Sequence, residues 1–384
     1  MAEELVVIGG GIVGAATAFY ASRAGLACTL LEARPGLAQH TTARAAGGYR
    51  LQLEHEDELP LVRHSVDLFR NFAQITGQQA AGGYRPSGYL WLTTDPGQAA
   101  AQCELVARQR SWGVDGVELL GLEDLRRRFP WVCGDVIQAR FRGGDGLIDP
   151  VAVARGLATA SGARVVTSCR VEGFDVTGGR LTAIRTTAGR LGTDRAVICA
   201  GPLSGAVARL AGVELPVVTI RRQRGTVTGV PELPAQAPMV IDEDTGSHWR
   251  PTATGAYVLR PEPGEPAAPP AEHVEADPAF ADALLDPASP VALARTVPVW
   301  AEIHRRGAYQ VRVEAGQYTM TPDQRPLIGP TAVDGLWVNT GYSGHGVMAG
   351  PGGAQHLAAL LTGSVATPNT FALDRTFGQT TQSW

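Results

Sequence analysis

The sequence predicts an α/β fold, in which a discontinuous nucleotide-binding domain is joined to a second α+β domain on a mainly antiparallel sheet. Three observations carry this reading. Residues 5–8 form an apolar run leading into Gly9-x-Gly11-x-x-Gly14; small residues follow at helical spacing, and a second apolar run, 27–31, ends on Glu32. In mid-chain, residues 197–201 (VICAG) read as a buried strand closing on glycine, as expected where a parallel sheet meets a ligand. Near the C-terminal end, 336–339 read as a strand, 340–346 as a glycine-rich turn and 347–361 as a small-residue helix. Elements of one kind at the beginning, middle and end imply one Rossmann-like domain, interrupted by segments that build the other.

The first motif explains itself residue by residue. Gly9 permits the turn, Gly11 lets a pyrophosphate approach the backbone beside Ile12 and Val13, and Gly14 lets helix and strand pack closely. The helix N-terminus offers N–H groups and a positive dipole end to phosphates. Glu32, 18 residues beyond Gly14, stands where an acid accepts hydrogen bonds from a ribose diol.

Along the chain, a loop of small and polar residues (34–49) is followed by an amphipathic helix over 58–76, with Leu61, Ser65, Leu68, Phe69 and Phe72 at three- and four-residue steps. Residues 84–93 read as a turn and a strand, 98–112 and 122–129 as helices. The run 143–150 punctuates the chain before a helix at 151–161. Short strands are predicted at 164–167, 171–176, 180–187 and 196–200. From 217 to 313 the strands lengthen and alternate, with 262–270 (EPGEPAAPP) a loop or flexible insertion. The domains expected are therefore 1–83, 146–216 and 317–384 for the nucleotide, and 84–145 with 217–316 for the substrate.

Composition narrows the function. The chain has 384 residues, is 44% hydrophobic and 18% charged, and carries a net charge of −4, so no basic field argues for nucleic acid. No apolar run reaches the roughly 20 residues of a membrane span. The first strand begins so early that no signal peptide is expected, and the five cysteines lack CxxC spacing, so the expected compartment is cytoplasmic. The eight histidines form no HxH, HExxH or Cys/His cluster, so no metal is expected. All 33 basic residues are arginine; without lysine, no Schiff base, and hence no pyridoxal phosphate chemistry, is available.

With these residues in place, the chain resembles the D-amino-acid-oxidase-like superfamily of flavoproteins, in particular its glycine oxidase, monomeric sarcosine oxidase and sarcosine/proline dehydrogenase β-subunit groups. Seven stretches carry the resemblance in the family's order: the first motif with Glu32, TTARAAGGYR at 41–50, GYRPSGYLWL at 83–92, GDGLIDPVAV at 144–153, VICAGPLS at 197–204, MTPDQRPLIGP at 320–330 and TGYSGHGVMAGP at 340–351. The resemblance implies FAD as cofactor. It places Glu32, with Ala33 and Arg34, at the adenosine ribose, and Thr41, Thr42 and Arg44 at the pyrophosphate. Ala46, Gly47 and Gly48 pass beside the flavin, Val171 meets adenine, and Ala200–Gly201 end a strand beside the cofactor. Gly344, His345, Gly346 and Val347 face the pyrimidine edge of the isoalloxazine, where a helix N-terminus stabilises negative charge. Monomeric sarcosine oxidases anchor their flavin on a cysteine just before Thr-Pro-Asp. Here Gly316 and Gln317 stand there, so non-covalent FAD is expected. The lysine that some relatives place over the flavin for oxygen is absent, which leaves oxygen or another electron acceptor open.

The reaction implied is dehydrogenation of a small amino or N-alkyl amino acid to its imine by hydride transfer to flavin N5, with glycine, sarcosine, proline or a D-amino acid as type substrates. Other readings are an amine oxidoreductase whose substrate has no carboxylate, and a flavin-holding assembly factor or partner subunit, in a homo- or hetero-oligomer. An arginine suits the carboxylate because its planar fork binds both oxygens. Arg50, just after Gly47–Gly48, is the first candidate, against a phosphate-side or surface role; Arg260 is the second, against a strand salt bridge. Arg325 is expected to organise its loop. His345 is expected to make a structural hydrogen bond or transfer a proton. Tyr318 and Tyr342 either bond substrate or pack; for His248 and Trp249 packing is favoured over a place in the pocket wall.

Overall fold

A computed structural model describes residues 4–78, 83–364 and 368–378. The first motif folds as its residue types dictate: strand Glu4–Ile8, helix Ile12–Arg23, strand Ala27–Leu31. These two strands pair in parallel inside a six-stranded sheet ordered Leu327–Pro330, Leu336–Thr340, Ala196–Ile198, Glu4–Ile8, Ala27–Leu31, Arg164–Val166. All its pairs are parallel except the first, Leu327–Pro330 against Leu336–Thr340. Helices Ile12–Arg23, Leu59–Arg70, Pro150–Ala160 and Gly346–Leu361 pack into one apolar cluster on this sheet. A three-stranded antiparallel sheet, residues 171–192, takes part in a separate cluster with the same strands. Segments from the start, middle and end of the chain thus share one layered unit.

The second sheet holds nine strands: Ala267–Ala268, Val218–Thr228, Gly255–Leu259, His248–Pro251, Met239–Asp242, Tyr89–Thr93, Gln138–Arg142 and Val117–Gly121 in order, with Gln310–Met320 paired to Val218–Thr228. Only Met239–Asp242 with Tyr89–Thr93 is parallel. Strand alternation gives the sheet two different faces. Leu90, Val240, Trp249 and Val258 enter an apolar core with helices Ala279–Leu285 and Val299–Arg306. Tyr89, Trp91, Met239, Ile241, His248 and Leu259 face the other way and line a cavity.

Four details differ from the sequence reading. The helix expected over 58–76 breaks at Asn71 into Leu59–Arg70 and Phe72–Thr76, and its first turn is 3-10, Glu56–Glu58. The stretch 217–313 contains the two helices above, whose short apolar faces were hidden among alternating strands. The insertion expected at 262–270 is instead tied to the sheet by Ala267–Ala268, which pairs with Thr219–Ile220. Strand Gln310–Met320 also runs through the expected 316/317 domain boundary.

Candidate functional site

A cavity of about 580 Å³ runs between the two sheets. Its lining includes every sequence-predicted site residue except Gly14, which lies just behind it, and Trp249, which is core. Gly9 has φ +112°, and a Cβ on it would stand 2.5 Å from the Cys199 carbonyl oxygen; a Cβ on Gly14 would stand 1.8 Å from the Gly9 oxygen. Only glycine lets the helix start sit this close to two strand ends. The Glu32 carboxylate accepts hydrogen bonds from the backbone N–H of Gly10 (2.7 Å) and of Arg34 (2.8 Å), so it shapes this turn as well as facing the cavity. Thr42 accepts from the Ile12 N–H through Oγ1 at 3.1 Å, pinning the 41–48 loop to the helix start. Val171, Ala200 and Gly201 complete this end of the wall, near Ala33, Arg34 and Thr41; Arg44 and Ala46 lie along the loop, Val13 at the helix.

The far end is held differently. Gly47 has φ +77°, and a Cβ there would meet the Ile148 oxygen at 2.4 Å; one on Gly48 would meet the Tyr89 hydroxyl at 1.6 Å. The next residues, 50–52, hang from Asp145, a wholly buried carboxylate. It accepts from the Leu51 N–H (2.9 Å), Gln52 Nε2 (3.1 Å) and Arg142 (2.7 Å). That scaffold puts Arg50, 9% exposed, into the cavity wall. Its Nη1 donates to the Gln52 carbonyl, Nη2 lies 3.5 Å from His345 Nε2, and the guanidinium is 5.3 Å from the Trp91 ring centre. Arg50 makes no ion pair among the described residues.

His345 caps the helix Gly346–Leu361. Burial first, then the Arg50 charge, lowers its pKa to about 3, so the imidazole is neutral near pH 7. With Nε2 turned to the arginine, Nδ1 carries the hydrogen, and that atom is buried without a partner. Gly344, φ +92°, lies against the Tyr318 ring, where a Cβ would be 2.6 Å from the ring edge. The Tyr318 ring itself lies 5.8 Å from the Arg222 guanidinium. Tyr342 is different: its hydroxyl donates to Asn339 and sits over Gly353, so the phenol is engaged in the core and only its flank borders the cavity.

Arg260 borders the cavity from just past the end of strand Gly255–Leu259. It shares the parity of Val258, which faces the helices, and its guanidinium lies 5.5 Å from the core ring of Phe280. Arg222 and Arg224 line the cavity as well, with Arg224 paired to Glu314 at 2.8 Å. His248 lines the cavity with Nδ1 donating to the Gly246 carbonyl at 2.8 Å, which leaves Nε2 as an acceptor; Trp249, on the opposite face, is core. Arg325 pairs with Asp57 at 2.6 Å, which ties its loop to the turn Glu56–Glu58.

Sequence reading passed over three residues. Trp91 lies in a quoted motif, and its place two residues after Tyr89 in a strand puts it on the same face. Asp145 lies in another, with no sign of its burial. Glu58, 4% exposed, borders a small chamber of about 20 Å³ with Arg50, His55 and His345. Burial, reinforced by Asp57 and offset by Arg325 and Arg50, raises its pKa to about 7.

The cavity's features fit a flavin dinucleotide: a glycine cradle that side chains would fill at both ends, and an orphaned buried donor, His345 Nδ1, at the loop expected to face the isoalloxazine. Among the described residues no cluster of His, Cys, Asp or Glu could hold a metal, and no helix is long and apolar enough to cross a membrane.

Comparison with known proteins agrees with this geometry. The family described as "FAD dependent oxidoreductase" matches residues 4–360. Mitochondrial sarcosine dehydrogenase of Homo sapiens is 27% identical over 92% of this chain, which spans 39% of that longer protein. Glycine oxidase of Pseudomonas putida is 27% identical, with 95% of this chain and 96% of the relative aligned. The crystal structure of L-proline dehydrogenase from P. horikoshii superimposes with a TM-score of 0.82 at 23% identity, covering 97% of this chain and 96% of that one.

Proposed function

Because this chain belongs to the FAD-dependent oxidoreductase family, we propose that it dehydrogenates a small amino acid or N-alkyl amino acid to the imine, with Arg50 as the carboxylate anchor. One observation carries the substrate class: Arg50 is a buried cation with no carboxylate within ion-pair distance among the described residues. A desolvated guanidinium is unfavourable until an anion shares its site. A substrate carboxylate supplies that anion, and the fork binds both oxygens. The names of the relatives point the same way, since sarcosine, glycine and proline each join an amine to a carboxylate.

Bound FAD would supply the two-electron acceptor; the chain supplies position and electrostatics. The residues proposed to hold it are Gly9, Gly11, Ile12, Val13, Gly14, Glu32, Ala33, Arg34, Thr41, Thr42 and Arg44 toward the adenosine and pyrophosphate. Ala46, Gly47, Gly48 and Gly344–Val347 would hold the ring, and Val171, Ala200 and Gly201 the remaining wall. With the carboxylate on Arg50, Tyr89, Trp91, Met239, Ile241 and Leu259 exclude water from the rest of the substrate. His248 Nε2 offers an acceptor to the substrate amine, which must be neutral before its Cα or N-alkyl hydrogen can leave. His345 keeps Arg50 in place. With a pKa near 3 it is too weak a base to take the amine proton at neutral pH.

The reading is tested by titrating the flavoprotein with acetate and with an amine of similar size that has no carboxylate. Acetate should perturb the flavin spectrum in the wild-type protein and fail to do so in Arg50→Met. An amine that binds as tightly as its carboxylated analogue would move the substrate class to simple amines.

A further inference from the structure

The proline-rich segment read from sequence as a loose insertion does not hang free. It leaves the second sheet after Leu259, pairs with Thr219–Ile220 through Ala267–Ala268, and then crosses to the nucleotide domain. There it meets the 34–40 loop and Arg170, while Gln317 of strand Gln310–Met320 anchors it to its own sheet. Gln317, 2% exposed, accepts from the Ala271 N–H at 2.8 Å and donates to the Pro269 carbonyl at 2.9 Å. His40 Nε2 donates to the Ala271 carbonyl at 3.1 Å, and burial lowers the pKa of that ring, so the neutral tautomer holds the contact. Arg34 donates to the Glu272 carbonyl, and the Glu272 carboxylate forms an ion pair with Arg170.

Glu272 lines the cavity together with Leu31, Glu32, Arg34, Arg170 and Val171, the adenosine end of the proposed cofactor site. We propose that residues 269–272 are a cofactor-retaining strap: a piece of the second domain that closes the adenosine end and must lift for FAD to enter or leave. The inference rests on the reading that this cavity holds FAD. Its physical basis is that clasp and cofactor share residues. Arg34 and Arg170 border the adenosine site on one side and grip the strap on the other, so a bound adenosine orders both cations for Glu272. Four backbone hydrogen bonds hold the strap, to His40, Arg34 and the two ends of the Gln317 amide; the single ion pair is half-exposed and screened by salt.

The experiment is the rate of FAD release from the holoprotein, read as the activity regained by an excess of an unrelated apoflavoprotein that traps the released FAD. Glu272→Gln should speed release about two- to fivefold, the range expected for losing one exposed ion pair. Raising the salt should speed the wild type toward the Glu272→Gln rate and leave the variant unchanged. Ala271→Pro, which removes the N–H given to Gln317, should speed release about tenfold, as for losing a buried hydrogen bond. Equal melting temperatures of the apoproteins would show that Glu272→Gln acts on the strap and not on folding. Wild-type release rates in both variants, with FAD bound, would overturn the strap and leave the proposed function standing. A wild-type protein that binds no FAD would overturn that function, and the strap with it.

Discussion

Arg50 is where the energetics of the site are most exposed. A buried guanidinium without a counter-ion is a liability for the fold and an asset for binding, so the two should separate on mutation. Arg50→Met is expected to weaken kcat/KM for a carboxylated substrate roughly a hundredfold, about 3 kcal/mol, while leaving the melting temperature unchanged or raised. Steady-state kinetics beside thermal denaturation measure both. Glu58 gives a pH signature. Its carboxyl keeps its proton to about pH 7 in the folded chain, against 4.5 for an ordinary glutamate, so the native state binds more protons over that interval and stability falls as pH rises through it. Glu58→Gln removes the drop: the two proteins should match near pH 4.5, and the variant should be the more stable by up to roughly 3 kcal/mol above pH 7. Parallel wild-type and variant curves of denaturation against pH would contradict this. Arg50 was legible from sequence because it follows two glycines of a resembling motif. Glu58 was not, since a glutamate opening an amphipathic helix looks solvated until the two distant segments carrying Arg50 and His345 close around it.

At the level of elements, the decisive features are close approaches and strand parity. Gly14→Ala drives a methyl to 1.8 Å from the Gly9 oxygen, a clash with backbone that no rotamer relieves, and should abolish FAD retention and lower stability by about 1–3 kcal/mol. Flavin content of the purified variant and its melting curve are the checks. Asp145→Ala strips the acceptor from Leu51 and Gln52 and unpairs Arg142. It should therefore destabilise by about 3 kcal/mol and raise KM through Arg50 more than it lowers kcat. The glycine turn could be read from spacing because the chemistry of the turn demands those residue types. The placement of Arg260 could not: a two-residue period says which residues share a face, but not which face meets the helices. Arg260, just past the strand end, lies by the Phe280 ring and still borders the cavity, which Arg222 lines from the neighbouring strand. The helices Ala279–Leu285 and Val299–Arg306 escaped for a related reason, being too short for their period to stand out.

Over the whole molecule, two sheets enclose one cavity, with the proposed adenosine end on the six-stranded sheet and the proposed substrate wall on the nine-stranded one. The order of motifs along the chain made that division readable, because a discontinuous domain leaves its strand-turn-helix signature wherever the chain re-enters it. The strap could not be read, since its contacts are backbone atoms whose partners lie far away in sequence. The attachment of the cofactor is a property at this scale too. Gln317 lies under the strap, and Cys199, the buried thiol nearest the strand ends, is pushed up to about 12 by burial and is no nucleophile. Acid precipitation should therefore release all the flavin into solution; colour left on the precipitated protein would show a covalent link. The most direct test of the central claim is anaerobic addition of glycine, sarcosine, proline and D-amino acids to the purified flavoprotein while following its visible flavin absorbance. Bleaching by at least one of them, lost or strongly slowed in Arg50→Met, is the predicted result; a bound flavin that none of them bleaches would contradict it.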